Sequence, residues 1–79
     1  MITVRYFAAA AEAAGTSSEQ VSARTLGELR ARLRAAHGPM MERVLAQAAL
    51  LAAGLRVDDD AIALVDGTTV DVLPPFAGG

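Results

Sequence analysis

The 79-residue chain has no cysteine, no lysine and a single histidine, His37. Without cysteine there is no disulfide, no thiolate zinc site and no thiol nucleophile. Without lysine there is no Schiff base, and no side-chain amine to which another chain could be joined. One histidine cannot build a histidine-rich metal site, so no metal is expected. Long apolar runs are also missing, and nothing approaches the roughly 18 residues needed to span a bilayer. The stretch Tyr6–Ala11, ended by Glu12, is shorter than the roughly 7 residues of a signal core. No membrane partner is expected, and the chain reads as cytoplasmic. Net charge is −2 and the isoelectric point is about 5.1. The overall basic footprint of a nucleic-acid binder is absent, so no nucleic-acid partner is expected.

What is present is a foldable globular composition, 53% hydrophobic and 20% charged, outside the disordered range. The length predicts one domain, too small to bury a deep catalytic cavity. Any chemistry belongs at an edge, a tail or a partner's surface. Alanine inflates the hydrophobic fraction. Core weight therefore falls on Ile2, Val4, Tyr6, Leu26, Leu29, Leu33, Val44, Leu45, Leu50, Leu51, Val70 and Val72.

Ile2–Phe7 alternates, with Ile2, Val4 and Tyr6 on one face and Thr3, Arg5 and Phe7 on the other. That is the period of a half-buried strand. Ala8–Ala14 reads as a short helix stopped by Gly15, and Glu19–Ala23 as a second strand around Val21. Thr25-Leu26-Gly27-Glu28 fits a capping box, ahead of a helix with Leu26, Leu29, Leu33 and Ala36 in one stripe. His37-Gly38-Pro39 predicts its end: a cation at the negative pole, a left-handed glycine, and a residue that cannot continue. Met40–Gln47 has helical spacing, and Ala49–Ala53 reads as a buried strand ended by Gly54. Asp66-Gly67 reads as a hairpin turn, and Val70 and Val72 alternate with Asp71 and Leu73 in the last strand. Pro74 and Pro75 end the pairing, because neither donates a ladder hydrogen bond. The pattern predicts an α+β fold over residues 1–73, a sheet with one main helix packed on one face, and a tail over 74–79.

Other polar features are read as ordinary surface. Asp58-Asp59-Asp60 lacks the alternating spacing and closing Glu of a calcium loop and reads as a solvated turn. Arg30, Arg32 and Arg34 read as a solvated helix face, with Glu28 placed to pair with Arg32. Ser17 and Ser18 have no base in their sequence context, so nucleophilic catalysis is not expected.

The informative segment is Pro74-Pro75-Phe76-Ala77-Gly78-Gly79. Two prolines favour an extended exit from the sheet, after which side-chain bulk falls away. Six steps from Leu73 to Gly79 reach about 20 Å when extended. Such a tail can thread a narrow channel and present a carboxylate, and glycine lets a partner's backbone come close. A chance Gly-Gly end arises roughly 0.5% of the time at average glycine usage. The pair alone therefore decides little against an ordinary frayed terminus; its setting decides more.

The segments RYFAAAAEAAGTSSE, VDGTTVDVLPP and PPFAGG resemble the small subunit of molybdopterin synthase. The wider group comprises the ubiquitin-like sulfur carriers, including those for thiamine and cysteine synthesis. The resemblance runs over essentially the whole chain. The tail and Asp66-Gly67 are its specific parts, and Pro-Pro ahead of Gly-Gly favours the molybdopterin branch. Ala53-Gly54 departs from the Asn-Gly turn of many relatives.

The resemblance implies a β-grasp fold with a mixed sheet, and a chemistry for the tail. A ubiquitin-activating-like adenylating enzyme would use ATP to activate the Gly79 carboxylate, and a sulfur donor would leave a thiocarboxylate there. The tail would enter the large catalytic subunit of molybdopterin synthase, where the sulfur passes to a pterin precursor. The carrier itself would bind no cofactor; Gly79 and Gly78 would be the reacting end. In a β-grasp fold the first and last strands are neighbours. Phe7 and Leu73, on the faces opposite Ile2/Val4 and Val70/Val72, would then form an apolar patch with Phe76 just beyond. With Pro74, Pro75 and Ala77 they are the expected partner-binding residues. Two carriers flanking a dimeric large subunit would complete the assembly. The alternatives are a carrier for cysteine or thiamine synthesis, and a ubiquitin-like interaction module that is never activated.

Overall fold

The computed structural model describes residues 1–75. The expected site residues Phe76, Ala77, Gly78 and Gly79 lie outside the described residues. The elements are β1 (Ile2–Tyr6), α1 (Ala9–Ala14), β2 (Ser18–Val21), α2 (Leu26–His37), α3 (Pro39–Gln47), β3 (Ala49–Ala52), β4 (Leu55–Val57) and β5 (Thr69–Leu73).

The strands form one mixed sheet in the order β2-β1-β5-β3-β4. β1 runs antiparallel to β2 and parallel to β5, and β3 runs antiparallel to both β5 and β4. The first and last strands are thus central neighbours, with Val4 opposite Val70 and Tyr6 opposite Val72. This is the β-grasp arrangement. Its two central strands bury one face under α2 because their apolar residues recur with period two. Ile2, Val4, Val70 and Val72 are fully buried, against Leu26, Leu29 and Leu33 of α2 and Met41 of α3. Truncating Leu29 or Leu33 to alanine would cost about 2–5 kcal/mol, because the strand face behind them cannot collapse into the gap.

α2 begins as its sequence dictates. The Thr25 hydroxyl accepts from the Glu28 amide at 3.1 Å. Glu28 reaches back to the Arg24 amide at 3.0 Å, one residue earlier than a standard capping box. At the other end Gly38 has φ 78° and ψ −161°, not the left-handed helical conformation expected. With its ψ extended, the chain turns sharply and re-enters a helix at once. Pro39 starts α3 rather than merely stopping α2, because its missing N–H costs nothing at a first helical position.

Other expectations change in the same way. β2 is Ser18–Val21, not Glu19–Ala23. β3 stops at Ala52 because Ala53 and Gly54 both take positive φ, 50° and 82°, and close a two-residue hairpin to β4. β4 carries only three residues with no buried member, so it left no periodic signal. Asp66-Gly67 is a turn but not a hairpin. The chain before it makes one isolated bridge, Ala63 to Thr25, and the Gly67 amide donates to the Met1 carbonyl. Val44 and Leu51 are half-buried rather than core, and Met41, Ala49 and Leu64 join the core instead.

The charged segments are more engaged than solvated surface. Asp60 accepts from Arg30 at 2.7 Å, and Asp59 accepts from the Ala61 amide at 2.9 Å. Arg32 lies 3.9 Å from Glu28. His37, expected only to complement a helix end, places Nε2 2.5 Å from Glu19.

Candidate functional site

β1 and β5 are parallel, so their C-terminal ends lie at the same pole of the sheet. There the Phe7 amide donates to the Val72 carbonyl at 3.1 Å, holding the two strand ends together. Beyond Phe7 the chain bends through Ala8 at φ 53°, a conformation costly for a residue with a Cβ, and enters α1. Beyond Leu73 it continues into Pro74 and Pro75, both exposed.

Between α1, α3 and these strand ends lies an open groove of about 320 Å³. Phe7, Leu73, Pro74 and Pro75 all line it. The structure therefore brings together four of the residues singled out in the sequence. α3 supplies the opposite wall with Met40, Arg43, Val44 and Gln47, none of them anticipated. Arg43 is the one charged residue in the lining. A reading by helical period assigned Val44 to the core and had no reason to place α3 against the tail. Phe7 is 39% exposed and Met40 46% exposed, so the groove keeps apolar surface open to water at a strand exit.

On the outer face of the same strands, Arg5 and Asp71 pair in register. Arg5 Nε lies 2.6 Å from Asp71 Oδ1 and its terminal nitrogen 2.9 Å from Oδ2, a forked pairing. The hydrogen bond and charge of Asp71 raise the Arg5 guanidinium above its ordinary pKa. The Arg5 guanidinium carbon also sits 5.9 Å from the Phe7 ring centroid. The pair thus lies beside Phe7 at the groove's edge. Strand alternation alone put Arg5 and Asp71 outward; only the register brought them together.

Outside the groove lining, Tyr6, Glu19 and His37 form a hydrogen-bonded cluster joining β1, β2 and the end of α2. The Tyr6 hydroxyl donates to Glu19 Oε2 at 2.6 Å, and His37 Nε2 meets the same oxygen. The two rings meet edge-on with centroids 6.1 Å apart. Burial, with the Glu19 hydrogen bond and charge, pushes the Tyr6 phenol far above its usual range. Burial opposes ionisation of Glu19, but the hydrogen bonds from Tyr6 and His37 and the charge of His37 outweigh it. The carboxyl is held below the usual range.

Among the described residues no group of three or more His, Cys, Asp or Glu side chains could hold a metal ion. No helix among them is long and apolar enough to cross a membrane. The site offers a shaped apolar surface beside a chain exit, and it can bind and position.

Comparison with known proteins follows the same lines. No curated protein matches the sequence. Residues 4–79 match the ThiS family. Among solved structures, SAMP1 from Haloferax volcanii superposes with a TM-score of 0.80 at 27% identity, over 99% of this chain and 98% of that one. The complex of subunits 1 and 2 of the molybdopterin-converting factor from Helicobacter pylori gives a TM-score of 0.75 at 27% identity, over 99% and 97%. CysO from Mycobacterium tuberculosis gives 0.83 at 22% identity, over 96% and 100%, a likeness of fold. The chain therefore belongs to the ThiS family of ubiquitin-like sulfur carriers.

Proposed function

We propose that this chain carries sulfur as a thiocarboxylate on Gly79 and delivers it, within a large catalytic subunit, to a pterin precursor of molybdopterin. The observation that carries this reading is the course of β5. It is the middle strand of the sheet, and the chain leaves it through two exposed prolines beside an apolar groove. A partner seated on the groove would hold a rigid body, and the tail would supply reach.

A carboxylate is a poor electrophile, because its leaving group would be an oxide. Activation by an adenylating enzyme with ATP removes that obstacle. The Gly79 carboxylate attacks the α-phosphorus and pyrophosphate leaves. The donor's sulfur then attacks the acyl carbon and AMP leaves. Where the donor is a persulfide, this gives an acyl disulfide; a thiol then attacks the donor's sulfur, the S–S bond breaks, the donor leaves as a mixed disulfide with that thiol, and a thiocarboxylate remains. None of these steps asks for an acid or base from this chain, in keeping with a site that holds only binding surface. A methyl on Gly78 would obstruct a narrow channel and restrict the backbone.

The likeness to a molybdopterin-converting factor subunit solved with its partner supports the pterin acceptor and a large-subunit partner, as does Pro-Pro ahead of Gly-Gly. The equal identity to an archaeal modifier protein favours, as the second reading, the same activation with another acceptor. Carriers for cysteine or thiamine synthesis belong to that reading.

Deletion of Gly79 tests the proposal. It abolishes sulfur transfer while affinity for the large subunit stays within a few fold. Retained function in the deletion would make the chain an interaction module that is never activated. Leu73→Asp tests the surface: it leaves the fold intact and weakens large-subunit binding about 10- to 100-fold, as for an anchor at an interface centre. Unchanged affinity would remove Leu73 from the interface.

A further inference from the structure

β2 and β4 are the two edges of the sheet, and they are not alike. On β1 the Thr3 and Phe7 amides donate to Thr68 and Val72 on the β5 side, whereas the Tyr6 amide donates to Ser17 on the β2 side. Alternation along the antiparallel pair therefore turns the backbone of Glu19 and Val21 toward β1 and that of Gln20 away from it. The Thr16 hydroxyl donates to the Ser18 carbonyl at 3.0 Å, which leaves Gln20 as the open point of this edge. An exposed edge is commonly blunted by a charge, a proline or a bulge. Ser18, Gln20 and the following Ser22, alternating on one face, supply neither charge nor proline. On β4, Leu55 and Val57 face β3 opposite Ala52 and Leu50, so the outward backbone groups are those of Arg56. Two copies joined there would set Arg56 against Arg56, and like charges directly opposite repel. Beside the β2 edge, on the α2 side, lies an open space of about 440 Å³ lined by Glu19, Val21, Arg32 and Leu33 among others. The helix therefore leaves room for a further strand.

We propose that a second copy of this chain pairs with the β2 edge, antiparallel across a two-fold axis at Gln20, so that one sheet runs through both copies. Gln20 then exchanges both backbone hydrogen bonds with Gln20 of the second copy. Alternation places Glu19 opposite Val21 of the second copy, so no like charges face one another along the strand. The charges nearby are complementary. His37 at the end of α2 meets Glu19, and Arg32, more than a turn earlier, lines the open space beside Val21. The two-fold brings Arg32 of each copy toward Glu19 of the other, and at 3.9 Å from its own Glu28 Arg32 is only loosely held. A contact of this symmetry closes on itself and stops at two copies. It is also short, below the roughly 1,200 Å² at which stable interfaces begin, so association is weak and depends on concentration. No β2 residue lines the groove beside the chain exit, so both grooves and both exits stay open in the pair. The proposal does not rest on the chemistry assigned to Gly79.

Sedimentation equilibrium on the full chain, from micromolar to millimolar protein, tests this. The apparent mass is expected to rise from 8.1 kDa toward twice that value. Over the same range the Gln20 amide should become protected from hydrogen exchange. Gln20→Glu has nearly the same shape at an exposed position and sets two carboxylates opposite each other, so it should weaken association about 5-fold. Arg56→Gln changes the net charge by the same step at the other edge and should leave association unchanged. Gln20→Pro removes the outward donor without touching the ladder to β1 and should abolish it. A mass that stays at 8.1 kDa in millimolar protein would overturn the proposal. So would association that Gln20→Glu leaves untouched, because another surface would then be joined. Growth past two copies would overturn it as well, since the contact would then run head to tail and not close. None of these readouts involves activation, so failure here leaves the sulfur-carrier reading standing.

Discussion

Ala53 sits at φ 50° in a two-residue turn whose second residue is Gly54 at 82°. A Cβ disfavours that region, and asparagine tolerates it better. Ala53→Asn should therefore stabilise the protein by about 0.5–1 kcal/mol, read as a higher urea midpoint at unchanged slope. A lower midpoint would mean that the turn is not as described. Gly27 shows the reverse case. In the first turn of a helix, alanine is ordinarily better than glycine by about 1 kcal/mol. Here a Cβ would stand 2.9 Å from the Cβ of Asp60 and 3.2 Å from its carbonyl oxygen. The Gly27 amide also donates to that carbonyl at 3.0 Å. Gly27→Ala should thus destabilise, by about 1–3 kcal/mol, measured by the same titration. At this scale the sequence was partly legible. The helix cap at Thr25 could be read from spacing, because capping is local. The close approach of Gly27 to Asp60 could not, since the two lie 33 positions apart.

At the scale of elements, the Tyr6–Glu19–His37 cluster joins three pieces of secondary structure around one carboxylate. The folded state holds the Glu19 pKa below its ordinary value. Its contribution is therefore present above the unfolded carboxyl pKa of about 4.3 and is lost as pH falls through the folded value. Wild type should exceed Glu19→Gln in stability near neutral pH, and the gap should close below about pH 4. A gap independent of pH would show that the cluster acts only by packing. Tyr6 shifts the opposite way, so its contribution is full below about pH 10 and declines above it. Tyr6→Phe should cost about 1–2 kcal/mol at neutral pH and be less sensitive to alkali. Sequence reading placed Tyr6 in the core and His37 at a helix end. It assigned Glu19 no role, because cross-strand and helix-to-strand pairing depends on register rather than period. The same limit hid β4, too short to alternate, and the α3 wall of the groove, whose Met40, Arg43 and Gln47 are exposed and whose Val44 is only half-buried.

For the whole molecule, the architecture follows from a few strong signals. Alternation at both ends of the chain demanded two half-buried strands, and one apolar helical stripe demanded a sheet face to cover. Parallel pairing of β1 with β5 then puts Phe7, Leu73 and the two prolines at one pole. The proposed working end is read from composition alone: prolines, then shrinking side chains, then glycines. What the sequence could not supply was the companion surface on α3, including Arg43. On the proposed account the fold contributes a rigid platform and a groove, and the reactive atom lies on the tail.

The direct test is covalent. The full chain is incubated with ATP, an adenylating enzyme of the ubiquitin-activating type and a sulfur donor, then treated with iodoacetamide and analysed by intact mass and peptide mapping. Replacement of oxygen by sulfur adds about 16 Da, which oxidation of any of the three methionines would mimic, so alkylation is the decisive readout. With no cysteine in the chain, the account predicts one rapid alkylation, mapped to Gly79 and dependent on ATP. No alkylation with several competent adenylating enzymes would contradict it and leave a ubiquitin-like binding module.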